Sequence, residues 1–344
     1  MKKEKIIVTG GAGYIGAHTA VELLQSDYEV VIVDNLVNSS KSVLSGIAEI
    51  TGKQPAFEEL DLTHAGKTNP FFHKHRDAKA VIHFAALKAV GESTRLPILY
   101  YKNNIGSLLN VMEAMKEEQI PHFIFSSSAT VYGQPESLPV TELAPVQPAS
   151  SPYGSTKQMA EVIIRDTVKT GNQPASAISL RYFNPIGAHP SALIGELPSG
   201  VPNNLMPFIT QTAAGVRKEL KVFGRDYQTS DGTAIRDYIH VTDLARAHVI
   251  ALERLLKGKN QAAYEVFNLG TGKGFSVLEV IHSFEKSTGV KLNYSFTDRR
   301  RGDVESLYAS TELANKELGW KAECTLDEMT LSAWNWEKKL RNLQ

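Results

Sequence analysis

The chain has 344 residues, 42% hydrophobic and 22% charged, with 37 basic and 37 acidic side chains and no formal net charge. That length allows two lobes, and the neutral balance gives no support to a nucleic-acid or membrane-surface role. Cys324 is the single cysteine, which excludes an internal disulfide and fits a reducing compartment. The N-terminal apolar run, Ile6 to Val8, is too short for a signal-peptide core, and no run of about 18 apolar residues would span a bilayer. A cytoplasmic protein with no membrane partner is expected.

In chain order, "KIIVTG" from Lys5 reads as a buried strand, and "YIGAHTAVELLQ" from Tyr14 as a helix with apolar residues at helical spacing. "EVVIVD" is the second strand, "AFEELD" a weaker third, "AVIHFAA" a fourth and "HFIFSSS" a fifth. "LYYKNNIGSLLNVMEAMKEE" predicts one long helix between the last two. "PYGSTKQMAEVIIRDTVK" predicts another, with Pro152 in its first turn, where a missing N–H costs nothing. "ASAISLRYF" is a sixth strand. This alternation predicts an α/β fold, a Rossmann-type doubly wound parallel sheet.

After Asn184 the chain turns rich in Pro, Gly and Ser, the composition of a long loop, and later elements are shorter. The expected division is a dinucleotide-binding domain over 1–184, to which the chain returns at about 235–257, and a smaller α/β substrate lobe over 185–344.

"VTGGAGYIG" joins the first strand to the first helix, and Gly10, Gly13 and Gly16 stand three apart. Glycines there permit a tight turn and let a pyrophosphate approach the helix N-terminus, where N–H groups and the dipole favour anions. Asp34 ends the next strand 18 residues after Gly16, near the spacing expected of an acid that binds adenosine ribose hydroxyls and repels a 2′-phosphate. The cofactor implied is NAD.

In such sheets ligands sit beyond the carboxyl ends of the strands. The fifth strand ends at Ser128, and the helix after it carries Tyr153 and Lys157, one turn apart. Alone, that spacing is a chance occurrence on a helix face. Beside a nicotinamide it makes an alcohol-oxidising unit: Tyr153 as base, Lys157 lowering its pKa from about 10, Ser128 bridging to a substrate hydroxyl. His83, alone on an apolar strand, reads as a core histidine, and no histidine spacing suggests a metal.

With these residues the chain resembles the extended short-chain dehydrogenases and, among them, the UDP-glucose 4-epimerases (UDP-galactose 4-epimerases). The likeness runs through "DNLVNS", "HFAALKAVGES", "SSSATVYG", "SPYGSTK", "LRYFNPIGAHPS", "GVPNNLMPFI", "DGTAIRDYIHVTDLA" and "RRRGDVESLYA". It implies reversible C4 epimerisation of UDP-galactose and UDP-glucose through a 4-keto sugar, with NAD retained. On the NAD side it adds Tyr14, Ile15, Asn35, Asn38, Ser39, Asp61, Leu62, Phe84, Ala85, Lys88, Asn103 and Tyr182. For the UDP-sugar it implies Lys88, Ser128 and Tyr153 together with Asn184, Asn204, Leu205, Phe223, Arg236, Arg300, Asp303 and Leu307. It also implies a homodimer through a four-helix interface formed by the helices at about 98–118 and 153–170. Leu307 departs from the family's small residue or tyrosine at the sugar-pocket wall, which points to plain hexoses over N-acetylated ones. Ala86, where glycine is common, is a lesser departure. A nucleotide-sugar 4,6-dehydratase would need an Asp–Glu pair directly after Ser128, where Ala129 and Thr130 stand.

Overall fold

The computed structural model describes residues 3–171, 173–300 and 304–343. It begins with β1 (Lys5–Thr9), α1 (Tyr14–Gln25), β2 (Glu29–Asp34), α2 (Val43–Thr51), β3 (Ala56–Glu59), α3 (Ala65–Lys74) and β4 (Ala80–His83). Three short helical segments follow, α4 (Val90–Arg95), α5 (Pro97–Tyr100) and a π-helical turn at Tyr101–Ile105, and they lead into α6 (Gly106–Glu117) and β5 (His122–Ser128). After a 3₁₀ turn at Ala129–Tyr132 come α7 (Pro152–Lys169) and β6 (Ser176–Tyr182). The remaining elements are β7 (Asn184–Ile186), α8 (Leu205–Ala213), β8 (Leu220–Phe223), β9 (Ile235–Arg236), β10 (Tyr238–His240), α9 (Val241–Leu256), β11 (Tyr264–Leu269), β12 (Phe275–Ser276), α10 (Val277–Thr288), β13 (Tyr294–Thr297), β14 (Ser306–Leu307), a π-helical turn at Ala314–Leu318 and α11 (Leu326–Leu340).

Seven strands form one sheet in the order β11-β6-β5-β4-β1-β2-β3. The pairings of β1 with β2 and β4, of β2 with β3 and of β4 with β5 are parallel. This is the doubly wound Rossmann-type arrangement expected, and the strand order reverses between β1 and β4, where such folds take their ligands. Thr9 is level with both Val33 and His83, so the carboxyl ends of β1, β2 and β4 share one edge. Strands that read as apolar runs do so because both faces are covered. On one face Ile7, Val31, Val81 and Phe123 pack with Phe71 and Phe72 of α3, Val111 and Met115 of α6, and Ile164 and Val168 of α7. Their alternates Ile6, Val8 and Ile32 are fully buried as well.

The chain divides into two compact units. The first holds residues 1–133, 145–181 and 245–267, the second 134–144, 182–244 and 268–344. The sequence boundary at 184 is thus close to that at Arg181, but the return to the first unit runs over Ala245–Phe267, later than the expected 235–257. Residues 134–144 belong to the second unit, tied there by the Val140 N–H donating to the Tyr308 carbonyl at 2.9 Å.

The second unit is built from strands of two to four residues around α8, α10 and α11. Met206, Ile209, Val222, Tyr238, Ile281, Phe284 and Trp334 form its core. Two of its helices start with reciprocal caps, Ser276 with Glu279 and Thr325 with Glu328, each worth roughly 1 kcal/mol. Among the described residues no helix is long and apolar enough to cross a membrane.

Candidate active site

The glycine loop between β1 and α1 has almost no room for side chains. Gly10 holds φ +67°, and a Cβ on it would lie 2.6 Å from the Ala85 nitrogen. A Cβ on Gly16 would overlap the Gly10 carbonyl oxygen. Gly13 differs: a Cβ there would meet only that carbonyl, at 3.2 Å. Gly13 is also the N-cap of α1 and brings no side-chain cap, so the first-turn N–H groups around Tyr14, Ile15 and Gly16 head an open cradle suited to an anion.

Asp34, at the end of β2, is buried and fixed from two sides. Its Oδ2 accepts the Ala12 N–H at 3.1 Å, while Oδ1 accepts the Leu36 N–H at 2.8 Å and the Ser39 hydroxyl at 2.9 Å. Burial of Asp61 opposes its ionisation, but hydrogen bonds from the Thr63 N–H and hydroxyl and from Asn35 outweigh it and hold this carboxyl below its usual range. Leu62 beside it is buried, and its carbonyl accepts Asn110. Nothing in the contacts of Asn38 distinguishes it.

At the tip of β4, Phe84 packs on His248 with ring centroids 4.7 Å apart, and Ala85 abuts Gly10. The Lys88 ammonium lies 6.0 Å from the Tyr14 ring centroid. His83 is buried, bonded through Nδ1 to the Thr9 hydroxyl at 2.8 Å, and burial with the Lys157 charge pushes its pKa down to about 3.

The helix expected over 99–118 forms, with a π-helical turn at Tyr101–Ile105 through which the backbone stays right-handed helical, and Asn104 lies in that turn. Its side chain is turned inward and accepts the Leu87 N–H at 2.8 Å while donating to the Leu87 carbonyl at 3.0 Å and to Thr156 Oγ1 at 3.1 Å. Thr156 in turn donates to the Tyr153 carbonyl at 2.7 Å. Asn104 therefore joins the β4 tip to the helix that bears Tyr153, whereas Asn103, the residue singled out in the sequence, donates to Asn104. The only sequence signal was a polar residue at a core-facing helical position.

α7 starts where its sequence says it should: Ser151 caps the Gly154 N–H at 3.2 Å and Pro152 follows at N1. Its buried face brings Tyr153 and Lys157 against β5. Ser128, at the end of β5, hydrogen-bonds the Tyr153 phenol, and its Oγ accepts the Thr130 N–H at 3.2 Å. Lys157 donates to the Ser126 carbonyl at 2.6 Å and lies 4.7 Å from the Phe125 ring centroid and 5.8 Å from that of Tyr153.

Burial shapes the electrostatics of the trio in the protein alone. Burial pushes the Tyr153 phenol up to about 12, against a smaller opposing effect of the Ser128 hydrogen bond. Burial depresses Lys157 itself to about 7, with Glu161 opposing, and its ammonium is directed to the Ser126 carbonyl. The trio is poised but uncharged at the phenol.

In the second unit, Asn184 opens β7 and its N–H donates to the Asp237 carbonyl at 3.0 Å. Asn204 stands at the N-cap of α8, before Leu205, yet its side chain donates to Glu196 at 2.7 Å and does not cap. The Arg300 guanidinium lies 4.0 Å from the Phe223 ring centroid. Its neighbour Arg299 pairs with Asp226 at 2.8 Å. Arg236 donates to the carbonyls of Ile235 and Val304, both at 2.7 Å, and is the register partner of Leu307 across β9 and β14. Tyr182 ends β6 and is buried. Asp303 lies outside the described residues. Among the described residues, no three histidines, cysteines or carboxylates are grouped to hold a metal ion.

A family model for the NAD dependent epimerase/dehydratase family matches residues 6–270. The chain belongs to this family. It is 51% identical to the UDP-glucose 4-epimerase of Bacillus subtilis (strain 168) over 332 residues, 96% of each chain. Among solved structures it is similar to a UDP-glucose-4-epimerase from Stenotrophomonas maltophila with bound NAD and formylated UDP-arabinopyranose, at TM-score 0.94 and 47% identity, covering 98% of this chain and 99% of that one. It is also similar to the UDP-glucose 4-epimerase from Bifidobacterium longum in complex with NAD+ and UDP, at TM-score 0.92 and 46% identity, again over 98% and 99%. The resemblance read from the motifs thus extends over nearly the whole fold of this family.

Proposed function

We propose that this protein interconverts UDP-galactose and UDP-glucose by inverting C4, with NAD as a retained hydride carrier. The observation that carries the reading is the Ser128–Tyr153–Lys157 cluster at the carboxyl end of β5 in a chain similar from end to end to UDP-glucose 4-epimerases.

The residues present fit NAD. At Gly13 an added Cβ would meet only the Gly10 carbonyl oxygen, which leaves that side of the loop for a pyrophosphate to approach, while Gly10 and Gly16 admit no side chain, and the fixed Asp34 carboxylate suits ribose hydroxyls and repels a 2′-phosphate. Tyr14, Ile15, Asn35, Asn38, Ser39, Asp61, Leu62, Phe84, Ala85, Lys88, Asn103 and Tyr182 would complete the site. When bound, NAD supplies a hydride acceptor and donor and, in its oxidised form, a positive charge.

The chain's own residues handle the proton. Tyr153 takes it from the sugar 4-OH with Ser128 as the bridging hydroxyl, and a protonated Lys157 beside the ring favours the phenolate. Tyr153 then returns the proton once the 4-keto sugar has presented its other face. That requires a firm hold on UDP and a loose one on the hexose. Asn184, Asn204, Leu205, Phe223, Arg236, Arg300 and Asp303 would hold UDP, the arginines through forked hydrogen bonds to the diphosphate. Leu307 would wall the sugar pocket and favour plain hexoses over N-acetylated ones. The buried turn at Ala129–Tyr132 offers no carboxylate for eliminating water, so a dehydratase is disfavoured.

We further propose a homodimer. Leu96, Ile98, Leu99 and Leu109, with Met159 and Val162 on α7, are exposed apolar side chains on the segments expected to form a four-helix interface.

The decisive experiment supplies UDP-galactose to the purified protein without added NAD and looks for UDP-glucose. Failure to interconvert the sugars, with cofactor confirmed bound, overturns the reading.

A further inference from the structure

Behind the proposed trio lies a buried ionic cluster that the chemistry above leaves unused. Glu161, one turn after Lys157 on α7, accepts the Ser127 hydroxyl at 2.6 Å through Oε1. The same carboxylate takes Arg181 Nε at 2.9 Å on Oε1 and Arg181 Nη2 at 2.6 Å on Oε2. Arg181, on β6, also donates to the Tyr132 hydroxyl at 3.0 Å and stacks over that ring. Ser127 is fully buried, and Glu161 and Arg181 are more than nine-tenths buried.

Ser127 sits between the two β5 residues on which the trio depends. The Ser126 carbonyl holds Lys157, and the Ser128 hydroxyl faces the Tyr153 phenol. We infer that Glu161 is a positioning residue for epimerisation: clamped by Arg181, its carboxylate pins Ser127 and so fixes the Ser126 carbonyl and Ser128 hydroxyl against the two residues that α7 contributes. The inference rests on the epimerase reading above. A buried bidentate pair is an expensive way to gain stability alone, because its desolvation cost rivals its attraction, and this one is spent at the seam between β5 and α7.

A second consequence is electrostatic. The ionisable groups facing Lys157 are Tyr153 and Glu161 on its own helix and His83 on β4. Glu161 also faces Arg181 on β6, which touches Tyr132, and Tyr264 on β11. Glu161 favours the charged form of Lys157, the form that Tyr153 needs beside it.

The test compares wild type, Ser127→Ala, Glu161→Gln and Glu161→Asp in the UDP-galactose assay, with kcat, KM and the pH profile of kcat measured for each. Ser127→Ala leaves the ion pair whole and is expected to lower kcat about tenfold, at unchanged KM and unchanged midpoint of the alkaline limb. Glu161→Gln is expected to lower kcat further and to move that limb to lower pH by about half a unit; Glu161→Asp restores the limb and part of kcat. Reduction of bound NAD by sugar, followed by absorbance, is slowed in parallel. Wild-type kcat and pH profile in both Ser127→Ala and Glu161→Gln overturn the inference, and if Glu161→Gln does not fold, wild-type kcat in Ser127→Ala alone overturns it. An inactive wild type holding NAD would instead overturn the epimerase reading.

Discussion

The two units carry their proposed functional residues in different ways. In the first, Gly10, Gly13, Gly16, Asp34, Ser128, Tyr153 and Lys157 stand at the ends of buried elements, and the Asp34, Ser128 and Lys157 side chains are fixed by named hydrogen bonds. In the second, Phe223, Arg236, Arg300 and Leu307 stand on or beside strands of two to four residues and are partly exposed, and Asn204 stands at the N-terminus of α8. Proton transfer tolerates little displacement, so its groups belong on rigid elements. Recognition of a diphosphate and a base spreads over many contacts and tolerates lighter scaffolding.

Four substitutions can break or sharpen that contrast. Tyr153→Phe, on the rigid side, is expected to cost 10²-fold or more in kcat, on the order of general-base catalysis, with nucleotide retention unchanged; normal turnover removes Tyr153 as the base. Gly10→Ala is expected to destabilise by about 2 kcal/mol or more, through a non-glycine residue at positive φ and overlap with Ala85. Thermal unfolding and NAD content measure it, and a neutral result means that the loop shifts freely. On the lighter side, Arg300→Ala is expected to raise KM about tenfold with kcat nearly intact; a fall in kcat at constant KM would place Arg300 with the chemistry.

The smallest effect concerns pH. Lys157 titrates at about 7 in the folded protein, from an ordinary value of 10.5. Between those values the unfolded chain binds more protons, so stability from this group rises with pH across the window. The penalty for burying the charge is fully present below about 7. In the cofactor-free protein, Lys157→Met is therefore expected to raise the melting temperature most at neutral pH and below, and progressively less towards pH 10. A gain that does not change with pH contradicts the assignment.

Much of the first unit was legible because its signals are local. Alternating apolar runs gave the first six strands, and the glycine loop, Ser151–Pro152 start and Tyr153–Lys157 spacing lie within single elements. α2 and α3 went unread: α3 contains Pro70 and buries only Thr68, Phe71 and Phe72. β11 went unread as well, because "YEVFNL" is an edge strand with only half its residues buried, and its Glu265 is satisfied by Arg254 at 2.8 Å. The inward contacts of Asn104 and the Glu161–Arg181 pair depend on partners 17 to 52 and 20 residues away, which no single-element pattern reports.

The three hydrogen bonds that Asp34 accepts from Ala12, Leu36 and Ser39 bear on how this chain could change its cofactor. An acid that only read a ribose could be exchanged for a neutral residue to admit a phosphorylated nucleotide. Here the same exchange would also release the glycine loop and the turn after β2. A route to such a preference must therefore pass through a second substitution that re-anchors Ala12, so nucleotide choice and loop architecture are inherited together.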